Sequence, residues 1–110
     1  MSLAYPKRPA IRSAAIRNAA RGELCTLRLP GVCSWNREET VACHVPVSDH
    51  GAAYKRDDLF VLFGCSYCHA VLDGPRSKWP EGMWEYIAHA MAETQRRLYE
   101  KGLIVIQGAA

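Results

Sequence analysis

Asp58-Leu59-Phe60-Val61-Leu62-Phe63-Gly64-Cys65-Ser66-Tyr67-Cys68-His69 is the stretch that decides the fold. An apolar run from Leu59 to Phe63 is stopped by Gly64 and passes at once into a Cys-x-x-Cys turn. A short helix is expected from Ser66 to Asp73, closed by Gly74-Pro75. Upstream, Thr40 to Val45 reads as a short strand ending at Pro46, and Ser48-Asp49-His50-Gly51 as loop. Leu24 to Val32 alternates weakly around Pro30-Gly31, which predicts a short strand or hairpin with a turn between Cys25 and Cys33. At the N-terminal side, Pro9 to Arg21 reads as an alanine-rich helix stopped by Gly22. Its basic residues Arg8, Arg12, Arg17 and Arg21 form no single stripe at ~100° per residue.

Glu81 to Lys101 is the longest periodic segment. Trp84, Ile87, Met91, Leu98 and Tyr99 recur at helical spacing, as a core stripe does, and Gly102 ends the helix. Leu103 to Ile106 reads as a short terminal strand. Trp35 and Trp79 are expected to anchor the small core, although both offer flat surfaces for stacking on bases.

A chain of 110 residues has room for one domain, here residues 1–110, with 1–8 expected to be flexible. A hydrophobic content of 49% excludes disorder throughout. No apolar run approaches the ~20 residues of a membrane span. The segment Met1 to Arg8 lacks the apolar core of a signal peptide, so a cytoplasmic location is expected. The net charge of +3 is mildly basic and by itself selects no partner.

Cysteine is more informative. There are five, and four fall in two pairs, Cys25 with Cys33 and Cys65 with Cys68. A reducing compartment disfavours disulfides, so turn-borne pairs point to metal. Four thiolates in a tetrahedron make a closed, structural zinc site. A redox Cys-x-x-Cys is the competing reading, but no βαβ pattern surrounds it. Cys43 is left over and is expected to be a small buried hydrophobe.

Taken together, Cys43-His44-Val45-Pro46, the Asp58-Leu59 pair before the apolar run, Cys65-x-x-Cys68-His69 and Asp73 resemble the motif of the HNH nucleases. Arg21-Gly22-Glu23-Leu24-Cys25 and Leu29-Pro30-Gly31-Val32-Cys33 are similar to small phage and prophage nucleases. So is the late helix with Glu100-Lys101-Gly102-Leu103-Ile104. The resemblance spans roughly Ala20 to Ile106. It implies an α+β fold: a zinc-stapled ββα-metal core with an N-terminal helix and a long C-terminal helix. It also implies phosphodiester hydrolysis with a catalytic divalent cation, Mg²⁺ or Mn²⁺. The motif's middle asparagine is Asp58 here, and the metal ligand often found just before the base is Cys43.

The residues suit that chemistry. A histidine is partly neutral at physiological pH and can take a proton from water, the role expected of His44. His69 and Asp73, spaced i,i+4, share a helix face and can grip one cation. His50 and Asp58 are the candidates for a third ligand, ahead of Asp49. Asp58 can also order the loop, and Arg76 or Lys78 can contact phosphates. Nothing is assigned to His89. The expected activity is a metal-dependent DNA endonuclease in phage or prophage recombination or DNA processing. The resemblance makes the host recombinase filament a conditional partner. The alternatives are a non-catalytic zinc module that binds nucleic acid and a zinc-built adaptor that binds only protein.

Overall fold

Strands β1 (Val41–His44) and β2 (Val61–Gly64) pair antiparallel, with Val41 opposite Gly64 and His44 opposite Val61. Around this hairpin lie α1 (Ala14–Asn18), α2 (Ser66–Asp73) and α3 (Met83–Glu100). The computed structural model describes residues 9–46 and 57–109, so residues 1–8 and the Ser48–Gly51 loop lie outside it. Within the described residues the chain is a small α+β fold with a two-stranded sheet and three α-helices.

Strand alternation sorts the hairpin's two faces. Cys43 and Leu62 join a core cluster with Cys68 and Leu72 of α2 and Met83, Ile87 and Ala90 of α3. Ala42, Val61 and Phe63 pack the other way, against Ile16, Ala20 and Leu98. Helix α3 therefore serves both faces, its first half on one and its last turn on the other. Its buried stripe is Met83, Ile87, Ala90, Thr94 and Leu98. Trp84, expected in that stripe, lies one position off it and is exposed, while Met91 and Tyr99 flank it half-buried.

Three local expectations are corrected. Helix α1 is much shorter than Pro9 to Arg21. The amides of Ile11 and Ser13 are claimed by the carboxylates of Asp57 and Asp58, and the Asp58 amide donates to the Ile11 carbonyl. This pulls the segment before Ala14 straight, and Ser13 becomes the N-cap, its Oγ accepting the Ile16 amide. Leu24 to Val32 forms no strand or hairpin. Arg28 takes a left-handed φ of 45°, which breaks the extended path. What docks this segment is Thr26, whose amide and hydroxyl both donate to the Phe63 carbonyl at 2.7 and 2.9 Å. Leu103 to Ile106 is no strand either. With Gly102 left-handed at φ 75°, the Leu103 amide folds back to the Leu98 carbonyl, a Schellman closure. Leu103 and Ile104 then cover the second cluster, and Val105 and Ile106 stay exposed.

Gly64 is dictated by packing. A Cβ there would lie 2.9 Å from Cys43 Sγ, closer than real Cβ contacts come. The strand can therefore pass directly into the Cys-x-x-Cys turn, and the Cys65 sulfur caps α2 by accepting the Cys68 amide. No helix among the described residues is long and apolar enough to cross a membrane.

Candidate metal centre and candidate active site

The two halves of the cysteine cluster come from distant segments and meet as the sequence pairing anticipates. Sγ atoms of Cys25, Cys33, Cys65 and Cys68 all lie within 4.8 Å of one another. The Cys33 and Cys65 sulfurs are 3.9 Å apart. Tetrahedral bonds of about 2.3 Å give sulfurs nearly that far apart, so the set fits a zinc ion. All four cysteines are free of disulfides. Backbone amides point at the sulfurs: Arg28 at Cys25 (3.5 Å), Ser34 at Cys65 (3.4 Å) and Cys68 at Cys65 (3.4 Å). The Trp35 amide is turned toward Cys33.

Arg28 and Trp35 are also the two non-glycine residues with positive φ among those described, at 45° and 60°. At both positions the backbone amide lies beside a cysteine sulfur, Arg28 at Cys25 and Trp35 at Cys33. The Cys68 thiol holds Cys25 down to about 4, while burial pushes Cys33 up to about 11. An ion bound here would take the place of thiol protons.

His44 and Asp58 are brought together. Imidazole Nε2 lies 2.9 Å from Asp58 Oδ1, and the carboxylate has no exposed surface. The other oxygen, Oδ2, accepts the Ser13 amide at 2.7 Å and an Arg17 guanidinium N–H. Arg12 Nε stands 3.8 Å away. Burial alone would raise the Asp58 pKa, but the Ser13 amide, His44 and Arg17 outweigh it and hold the group below the usual carboxylate value. An ionised carboxylate only accepts, so the neutral imidazole carries its proton on Nε2 and keeps Nδ1 as the proton acceptor. Both Asp58 oxygens are engaged, Oδ1 by His44 and Oδ2 by Ser13 and Arg17. Its part in ordering the chain is larger than expected, because it fastens β1 to the start of α1. The sequence reading missed Ser13 and Arg17. Ser13 carried a signal in its N-cap position; Arg17 carried none.

His69 and Asp73 also meet, Nε2 to Oδ2 at 2.9 Å across one helical turn. Among the described residues no third His, Cys, Asp or Glu joins them in a three-donor cluster, and His50 lies outside that range. No hydrogen bond or ion pair among the described residues links this pair to His44 and Asp58. Cys43 precedes His44 in β1 and points to the opposite face of the strand, into the first core cluster. Burial first and the Asp73 carboxylate second push its thiol well above the ordinary range, so it stays a protonated, buried hydrophobe as expected.

Just beyond α2, Arg76 and Lys78 sit in a 3₁₀ turn, both exposed. The Arg76 guanidinium carbon lies 5.3 Å from the ring centres of both Trp79 and Trp84. Trp79 does anchor the core, with its indole N–H donating to the Val71 carbonyl at 3.0 Å. Trp35 does not: it is 60% exposed.

Known proteins are similar to this chain. The family described as "Putative nuclease YbcO" matches residues 14–103. Two relatives carrying that name, from Escherichia coli (strain K12) and Enterobacteria phage 82, are each 35% identical over 94 residues, 83% of this chain and 97% of theirs. A solved structure, "Structure of a putative bacteriophage protein from Escherichia coli str. K-12 substr. MG1655", is similar with a TM-score of 0.64 at 35% identity. The alignment covers 80% of this chain and 100% of that one.

Proposed function

The chain belongs to the YbcO nuclease family, and on that premise we propose that it is a metal-dependent DNA endonuclease of the HNH type. The observation that carries the proposal is the His44–Asp58 pair at the end of β1. A base oriented by a buried carboxylate is what activation of water requires, and here the free nitrogen is Nδ1. The side chain of His44 is 30% exposed, so water can reach it. The order β1, β2, α2 with a cysteine staple at the strand-to-helix turn supports the ββα-metal reading.

In this reading His44 Nδ1 takes the proton from the attacking water, and Asp58 keeps the ring from turning. Asp58 also stabilises the imidazolium that results. Arg76, braced by the two indoles, holds a phosphate oxygen, and Lys78 adds a second cationic contact. His69 and Asp73 are the residues that would hold a divalent cation. One carboxylate and one imidazole would leave a hydrated divalent cation, Mg²⁺ or Mn²⁺, room for substrate. The bound cation supplies charge stabilisation for the leaving oxygen. The four cysteines would hold one zinc ion and serve the fold. A host recombinase filament is a conditional partner.

Supercoiled plasmid incubated with and without Mg²⁺ or Mn²⁺ tests this. Nicked and linear products appearing only with metal are expected. A protein that binds DNA but never cuts, with any divalent metal and with or without recombinase filaments, is the zinc-containing binding module instead. That second reading draws on the two-donor set at His69 and Asp73.

A further inference from the structure

We infer that Arg12 grips a phosphate of the DNA strand, one that flanks the scissile phosphate on the Asp58 side of His44. The inference rests on the nuclease reading above and adds a substrate-binding residue to that site.

Two guanidiniums converge on one buried carboxylate oxygen. Arg17 Nη1 donates to Asp58 Oδ2, and Arg12 Nε stands 3.8 Å from the same oxygen. The fold needs only the first of them. Asp58 carries a single charge, and Arg17, the Ser13 amide and His44 already engage both of its oxygens. At 3.8 Å Arg12 makes an ion pair but no hydrogen bond. Among the described residues its N–H groups donate to nothing, and its side chain is 52% exposed. Such a guanidinium keeps the planar fork of donors that matches a phosphate.

The mount of this side chain is rigid. The amides of Ile11 and Ser13, on either side of Arg12, donate to Asp57 Oδ1 at 3.0 Å and to Asp58 Oδ2 at 2.7 Å. The Ile11 carbonyl accepts the Asp58 amide at 2.8 Å. The backbone that carries Arg12 is thus tied to the residue that aims the candidate base. Asp57, the other acid at this junction, ion-pairs with neither arginine among the described residues. With Asp57 included the junction is close to neutral. What singles out Arg12 is its unfilled fork and its position beside the base.

The ring of His44 selects the phosphate. Nε2 faces Asp58, and Nδ1, the nitrogen that takes the proton, points away across the ring. The attacked phosphorus belongs on the Nδ1 side. Arg12 stands on the Nε2 side, so the phosphate within its reach is a neighbour of the scissile one along the strand. A contact there is made equally in the ground state and the transition state, so it contributes affinity and not rate.

The test is fluorescence anisotropy of the full chain on a labelled duplex of about 20 base pairs, without Mg²⁺ or Mn²⁺, from about 50 to about 200 mM salt. Wild type is compared with Arg12→Ala and Arg12→Lys. The control is Arg96→Gln, which removes an exposed arginine already paired with Glu100 at 3.2 Å. Arg12→Ala should weaken binding about tenfold at the lowest salt, the low end for a hydrogen bond to a charged group. It should also lower the slope of log affinity against log salt by about 0.9, the value for one phosphate. Arg12→Lys keeps the charge, so it should keep the slope and lose less affinity. Every variant should melt near the wild-type temperature. With Mg²⁺ or Mn²⁺ and saturating protein, Arg12→Ala should nick plasmid within about threefold of the wild-type rate. A slope that Arg12→Ala leaves unchanged, or that Arg96→Gln lowers as much, overturns the contact while the nuclease reading stands. If Arg12→Ala loses rate at saturation as heavily as affinity, the flanking position is overturned. A wild type that never cuts, with a slope still dependent on Arg12, keeps the contact and removes the nuclease.

Discussion

Nε2 of His44 lies 2.9 Å from Oδ1 of Asp58, inside a ring of donors that leaves the carboxylate no exposed surface. The same carboxylate takes the Ser13 amide and the Arg17 guanidinium. One side chain therefore both aims the candidate base and fastens α1 to the end of β1. Asp58→Ala should cost about 2–3 kcal/mol of stability, as charged hydrogen bonds are lost and their donors stranded. Urea denaturation followed by circular dichroism measures this. A change within experimental error would mean that the Asp58 bonds contribute nothing to docking α1.

The same pairing makes acid stability specific. The folded-state pKa of Asp58 lies below the ordinary 3.8, so the native protein releases this proton more readily than the unfolded chain. Its stabilising contribution is complete above that ordinary value and is lost as pH falls through the lower folded one. Asp58→Asn should flatten this part of the acid limb of the unfolding midpoint against pH. A wild-type limb that Asp58→Asn leaves unaltered would show that the group is not depressed.

The purified protein should contain one zinc per chain by elemental analysis. Chelation or Cys68→Ser should unfold the domain or lower its melting point by more than about 10 °C, because such sites supply folding energy. Cys43→Ser should leave zinc content unchanged. Protein that folds fully with no metal would remove the staple.

Gly64→Ala should destabilise by about 1–3 kcal/mol, since its Cβ would meet Cys43 Sγ at 2.9 Å. Cys43→Ala removes that sulfur. The double variant should recover much of the Gly64→Ala loss, a coupling that a thermodynamic cycle reads directly. Strict additivity would place the strain elsewhere.

Much of this was legible locally. The Cys-x-x-Cys turn after Gly64, helix α2 to Asp73 and the long α3 follow from turn chemistry and periodicity within the segments themselves. The four-cysteine cluster was legible because pairs borne on turns have few other uses. What stayed hidden depends on partners far away in sequence. Helix α1 begins late because Asp57 and Asp58, more than forty residues on, take its upstream amides. Arg28 and Trp35 take left-handed backbone conformations beside the cysteine cluster, which no propensity reports. Thr94 looks like a polar position on a helix surface, yet it is buried with its Oγ1 accepting the Phe63 amide at 3.1 Å. In the candidate site the spacing of His69 and Asp73 gave their pairing directly, whereas the hold of Arg17 and Ser13 on Asp58 exists only once α1 is docked.

The central claim is that His44 is the base, and cleavage by His44→Ala tests it most directly. A general base acts on the attacking water in the transition state, so its loss spares fold and ground-state binding. His44→Ala should cut plasmid at least about 100-fold more slowly than wild type, with DNA affinity and melting temperature little changed. Excess Mn²⁺ should restore part of the activity of Asp73→Ala and none of that of His44→Ala. A His44→Ala protein that nicks plasmid as fast as wild type, at matched metal and salt, would contradict the assignment.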